Sequence, residues 1–185
     1  MHDIEPYFLW RDLYISSEDE RSPFYRAVNN EFSYSNKIYN FYIHPQWDFF
    51  DSTTLYMKLL FVDYEDGYCI MEMIGEWNDC IENDIMFLKR EVVDPLIKQG
   101  VYKYILLNEY VFNFHGLEND YYEEWKEDIK DENGWICMVN CLDHVIDEMK
   151  RSQLQFSVNF GKKFNDLNWR KMNPMMLFET IDKKI

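Results

Sequence analysis

The run YKYILLNEYVFNFHGLENDYYEEWKEDIKDE, residues 102–132, decides the fold. Its first half reads as a strand. Ile105, Leu106 and Leu107 are apolar without a break, as in a strand covered on both faces. Its second half reads as a helix, with Asn119 or Asp120 placed to accept from the free N–H groups of the first turn. A doubly covered strand that leads into a helix belongs to a layered α/β sheet, and the sequence on either side keeps that rhythm.

Upstream, TTLYMKLLFVDYEDGYCIMEMIGEW (residues 53–77) sets two β-branched and aromatic runs around Asp66-Gly67, a hairpin signal. NDCIENDIMFLKREVVDPLIKQG follows. Ile81, Ile85, Leu88, Val92 and Leu96 recur at spacings of four and three, the apolar stripe of a helix. Asn78 or Asp79 can cap it, Gly100 stops it, and Pro95 should bend it or split off its last turn. Downstream, GWICMVN is a short buried strand, and LDHVIDEMKRS puts Leu142, Val145, Ile146 and Met149 on one helical face. LQFSVNF reads as a strand with Leu154, Phe156 and Val158 alternating, and NPMMLFETI as a helix capped by Asn173 with Pro174 in its first turn.

The expected fold is therefore α/β: a mostly parallel sheet with right-handed crossovers, an antiparallel edge hairpin, and helices on its faces. A flavodoxin-like three-layer sheet is the alternative. Residues 54–185 form this domain. Residues 1–53 contain no glycine and are dense in aromatics, so they read as an extension packed on the core. Within it SPFYRAVNNEF predicts a short helix with Ser22 as cap, KIYNFYI a further strand, and HPQWDFFDS a loop.

This order of elements resembles the STAS domain, the fold of the anti-sigma factor antagonists, over roughly residues 54–181. In that family the strand before the second helix ends in Asp, two hydroxyl residues and Gly-Leu, and a partner kinase phosphorylates a hydroxyl there. Here the stretch reads Asn113-Phe114-His115-Gly116-Leu117. Gly116 and Leu117 match, while Phe114 and His115 replace the hydroxyl pair. The resemblance implies a regulatory protein–protein module without the phosphoserine switch.

Acids outnumber bases by 34 to 19, for a formal net charge of -15, which argues against nucleic acid and anionic membrane as partners. The opening MHDIEPYFLW carries acids where a signal peptide needs bases, and no segment approaches the roughly 18 consecutive apolar residues of a membrane span. Cys69, Cys80, Cys137 and Cys141 form no C-x-x-C pair and read as reduced thiols of a cytoplasmic protein. The histidines, at 2, 44, 115 and 144, lack metal-ligand spacing, and no phosphate-cradling glycine loop is present. Neither a cofactor nor a metal is expected.

Ligands of open α/β sheets bind outside the carboxyl ends of the strands. Asn113 and His115 lie at one such end and Glu76 at another. His44, in the aromatic loop IHPQWDFF, completes the set if the fold brings these ends together. Glu76 and Asp79 could also divide acid and base duties, although Asp79 equally suits a helix cap. Eight acids against two lysines between Glu118 and Glu132 mark the second helix as water-facing. Its Tyr121, Tyr122 and Trp125 are the candidate contact surface, because Tyr and Trp are favoured at interfaces. The leading expectation is a cytoplasmic, non-catalytic module with a protein partner or self-association. The rival is a small-molecule-binding protein or enzyme using His44, Glu76, Asn113 and His115.

Overall fold

The computed structural model describes residues 2–29, 32, 37–116 and 119–185. In chain order the strands are β1 (His2–Ile4), β2 (Lys37–Ile38), β3 (Phe41–Ile43), β4 (Leu55–Asp63), β5 (Tyr68–Asn78), β6 (Lys103–His115) and β7 (Trp135–Val139). The helices are α1 (Asp84–Phe87), α2 (Asp94–Ile97), α3 (Asp120–Ile129), α4 (Asp143–Arg151) and α5 (Pro174–Asp182). The main sheet runs β4-β5-β6-β7, antiparallel at the β4–β5 hairpin and parallel at the other two junctions. This is the expected mixed α/β sheet. A smaller sheet, β1-β3-β2, is built from the N-terminal region.

Both faces of the main sheet are buried, as the unbroken apolar run in β6 requires. On one face Met71, Met73, Tyr104, Leu106 and Met138 meet the helical layer through Val92, Trp125 and Val145. On the other, Tyr68, Ile70, Ile105, Leu107 and Val139 meet Trp10 from the N-terminal segment and Trp169, Leu177 and Ile181 from the C-terminal one. Much of the aromatic surplus is thus core. Trp169 packs edge-on against Tyr7 and Trp10, with ring centroids 4.8 and 5.6 Å away.

Four expected elements differ. KIYNFYI is two strands rather than one, β2 and β3 pairing antiparallel about Tyr39 and Asn40. Residues 154–160 are not a strand. Gln153 takes φ 59, and Leu154–Phe156 wind into a 3-10 turn whose Leu154 carbonyl accepts from Ser157 and Val158. Leu154 and Val158, four apart, face the core as on a helix, while Phe156 is exposed. Only Asn159 reaches the sheet, bridging Cys137 in parallel. Around Ser22 the chain makes turns rather than a helix: Ser22 Oγ accepts from the Phe24 N–H at 3.1 Å, but Arg26 at φ 61 ends the winding. Residues 30 and 31 of that stretch lie outside the described residues. The helix expected from Ile81 begins at Asp84 after a left-handed Asn83, and Ile81 is 81% exposed. Pro95 does disturb it: Leu88–Val93 widen into a π-helical stretch ahead of the proline. Proline lacks an N–H and crowds the carbonyl four residues back, and the wider turn relieves both.

Gly75 sits where β5 shifts register against β6. Its φ is +119, and a Cβ there would lie 2.3 Å from the Thr54 carbonyl oxygen. Gly75→Ala is expected to cost about 1–3 kcal/mol, since backbone must move to admit the methyl. Urea denaturation measures it, and an unchanged midpoint would refute the crowding.

Two features set the carboxyl half of β6 apart. Opposite the two steps from Glu72 to Ile74, β6 takes three, from Leu107 to Tyr110. This bulge at Asn108-Glu109 re-aims the chain. Beyond Leu107, β6 also outruns β7, and α4 covers its bare edge. His144 Nε2 donates to the Phe112 carbonyl at 2.6 Å, and Glu148 accepts from the Phe114 N–H at 3.1 Å.

Candidate functional site

The bulge places Glu109 beside Glu72, and the 3-10 turn Trp169–Lys171 lays Arg170 between them. The Arg170 guanidinium bonds Glu109 through Nη1 and Glu72 through Nη2, the latter at 3.3 Å. Glu109 also accepts from Trp169 Nε1 at 2.6 Å and Asn140 Nδ2 at 2.9 Å. Glu72 accepts from the Tyr7 backbone N–H at 2.7 Å, and the Tyr7 hydroxyl donates to the Arg170 carbonyl at 2.8 Å. N-terminal segment, sheet and C-terminal turn are thereby stitched together. Glu72 is 2% exposed. Burial pushes its carboxyl up to about 7. The Tyr7 N–H and Arg170 pull the other way, and Glu109 adds to the rise.

A cavity of about 570 Å³ opens above this pair, between the N-terminal segment and the sheet. Its walls are Tyr7, Phe8, Phe41, Tyr110 and Phe112, and Glu72 and Arg170 are its polar floor. That size and that ratio of apolar wall to converging polar group suit a small-molecule site.

Of the residues singled out from sequence, Glu76 and Asn113 do come together, as direct partners in the β5–β6 register. Asn113 Nδ2 lies 3.4 Å from Glu76 Oε1 and donates to the Tyr39 hydroxyl at 2.9 Å, and Tyr39 in turn donates to Glu76. His115 is two residues further along, exposed, and its carbonyl receives the Asp79 and Cys80 N–H groups. His44 lines a separate hollow with Trp47 and Tyr56, and its Nδ1 accepts from the Gln46 N–H. Leu117, the end of the STAS-like stretch, and Glu118 after it lie outside the described residues.

The contact surface expected on α3 needs correction. Tyr122 is 1% exposed and Trp125 fully buried, so neither can meet a partner. They point inward because they lie three apart on the face that also carries Ile129. Tyr121 is partly accessible and sits under the Arg90 guanidinium, 5.5 Å from its ring centre.

Glu76 and Asp79 do not form a pair. Asp79 turns into the helical side, accepting from Trp77 Nε1 at 3.0 Å, the Ile85 N–H at 2.9 Å and the Tyr122 hydroxyl at 2.8 Å. Burial raises its carboxyl to about 7 against those three donors, with Asp84 adding to the rise. One acidic group had no signal in sequence spacing. Asp94, Glu124 and Asp128 present oxygens within 4.8 Å of one another. The Lys89 ammonium fills that space, bonded to Asp94, 2.8 Å from Asp128 and 3.5 Å from Glu124. Cys69, Cys137 and Cys141 are buried thiols, and burial pushes the Cys141 thiol up to about 12, away from the thiolate.

No protein-family model and no curated protein matches the chain. Among solved structures it is similar to one from Thermotoga maritima, provisionally named an anti-sigma factor antagonist. The two share 18% identity and a TM-score of 0.44, over 69% of this chain and 91% of that one. The resemblance expected from the order of elements is therefore found, and it is weak. The chemistry of the site has to carry the functional reading.

Proposed function

We propose that the protein is a small-molecule-binding regulatory module, and that it binds rather than transforms its ligand. The cavity over Glu72 and Arg170 carries this reading. Both glutamates there are engaged by Arg170, Tyr7, Trp169 and Asn140, an arrangement suited to fixed recognition rather than proton shuttling. A fragment screen followed by protein NMR tests it. Binders of about 0.1–1 mM are expected to shift the Tyr7, Tyr110 and Phe112 amides first. A screen whose binders all map elsewhere, or that yields none, would overturn the reading.

Protein contact is a second reading, relocated from α3 to the segment that roofs the cavity. Phe8, Leu9 and Leu13 are 56%, 63% and 59% exposed within two successive turns. A second copy of the chain is the occupant to test by sedimentation, with Leu9→Glu and Leu13→Glu lowering any dimer. No helix among the described residues is long and apolar enough to cross a membrane. With a net charge of -15 and four free cysteines, the reading sets the module in a reducing compartment, away from nucleic acid.

A further inference from the structure

We propose that the cavity selects an amphipathic organic cation, an amine or quaternary ammonium on an apolar body. The inference rests on the small-molecule reading above and names its ligand class. Charge points to it first. Among the described lining residues Arg170 is the one base, and it lies between two carboxylates, Glu72 and Glu109. The cluster therefore carries one uncompensated negative charge when both acids are ionised, and Glu5 adds another at the rim. An anionic ligand would meet these acids in a chain whose whole field is negative, with a formal charge of -15.

The walls point the same way. Five aromatic rings border the space, and aromatic faces attract cations through their quadrupole. Tyr110 already does so: the Arg170 guanidinium lies 5.6 Å from its ring centre and 4.3 Å from that of Trp169. A buried carboxyl whose ionisation is opposed by its surroundings, as at Glu72, is one that an arriving ammonium would hold ionised. Rings around an apolar body, with Glu72 beneath its charged head and the Arg170 charge answered by Glu72 and Glu109, make one complement.

Three probes with one body separate the outcomes: 4-phenylbutylamine, 4-phenylbutan-1-ol and 4-phenylbutyrate, titrated calorimetrically at pH 8, where Glu72 is largely ionised. The amine is expected to bind about 10-fold tighter than the alcohol, with the carboxylate weakest. Raising salt should weaken the amine and spare the alcohol. Glu72→Gln should reduce the amine's affinity about 5- to 10-fold and the alcohol's by a clearly smaller factor. If the alcohol matches the amine, or the carboxylate binds best, the cation assignment falls and the cavity stands as a binding site. If none of the three binds, the cation assignment falls, and the fragment screen decides the small-molecule reading on its own. The three-probe comparison needs only the wild-type chain, so a poorly folding variant would not rescue the idea.

Discussion

Lys89→Ala is expected to lower the unfolding free energy by about 2–4 kcal/mol, because a buried stem is emptied and three partly exposed carboxylates lose their shared ammonium. Lys89 is fully buried, yet it stays charged. Burial pulls its pKa down, and hydrogen bonds to Asp128 and Asp94 outweigh that and raise it. Taking the ammonium away leaves Asp94, Glu124 and Asp128 facing one another, with Arg90 still answering Asp94 and Glu124. Lys89→Met keeps most of the apolar stem, so it separates lost charge from lost packing. Urea denaturation at pH 7 reads both. A loss under about 1 kcal/mol for the methionine variant would show that the charge cluster contributes little.

The acid limb gives a second check on the same cluster. Asp94 titrates below its usual range: burial raises it, but Lys89 and Arg90 lower it further. Glu124 is lowered chiefly by its bond to Arg90. Carboxyls depressed on folding stabilise the native state above their unfolded pKa, and that contribution is lost as pH falls through the folded value. Wild type should therefore lose stability below about pH 4 from these groups, and Lys89→Met should lose less. Millimolar calcium should raise the melting temperature of Lys89→Ala and leave wild type unmoved, because three carboxylates without an ammonium form an oxygen-lined cation site.

Asp79→Ala should cost roughly 3–5 kcal/mol, because it strips the acceptor from three donors at once. Trp77 Nε1, the Ile85 N–H and the Tyr122 hydroxyl are all buried. Asp79→Asn behaves differently. Asparagine can accept from Trp77 and Ile85 through its oxygen and donate to the Tyr122 oxygen, without a buried charge. The Asp79 carboxyl stands near 7 when folded and near 3.8 as its reference value. Between those values the folded chain holds a proton that the unfolded chain has released. Stability from this group therefore falls as pH rises from about 4 to 7. Each tenfold change in proton affinity is worth ~1.4 kcal/mol, which sets a ceiling of about 4 kcal/mol on the fall. The asparagine variant should match wild type near pH 4 and exceed it at pH 8. An equal gap at both pH values would mean that Asp79 is ionised in the fold at no cost.

Periodicity carried much of this fold. β4 to β7 and helices α3 to α5 stand close to where apolar runs, apolar spacing and capping residues put them. Residues 154–160 failed because their spacing is ambiguous. Leu154 and Val158 suit both a two-residue and a four-residue repeat, and the backbone chose the second. The site was less legible. Glu72 did leave a trace, a carboxylate at an inward position of a strand with both faces covered, where an acid needs a partner. Its partner Arg170 is 98 residues away, and nothing local ties the two. Glu109 needed the bulge to reach them, and bulges leave no dependable mark in a single sequence. Tyr122 and Trp125 misled because Tyr and Trp suit a core as readily as an interface, and composition cannot separate these uses.

The overhang of β6 beyond β7 gives α4 a protective role. A strand with free N–H and C=O groups along one side is a template for another chain. His144 and Glu148, one helical turn apart, each occupy one of those groups and close the template. Where α4 frays, the molecule would offer a ready strand to its neighbours, and self-templated aggregation would begin at residues 110–115 rather than at the more deeply buried centre of the sheet.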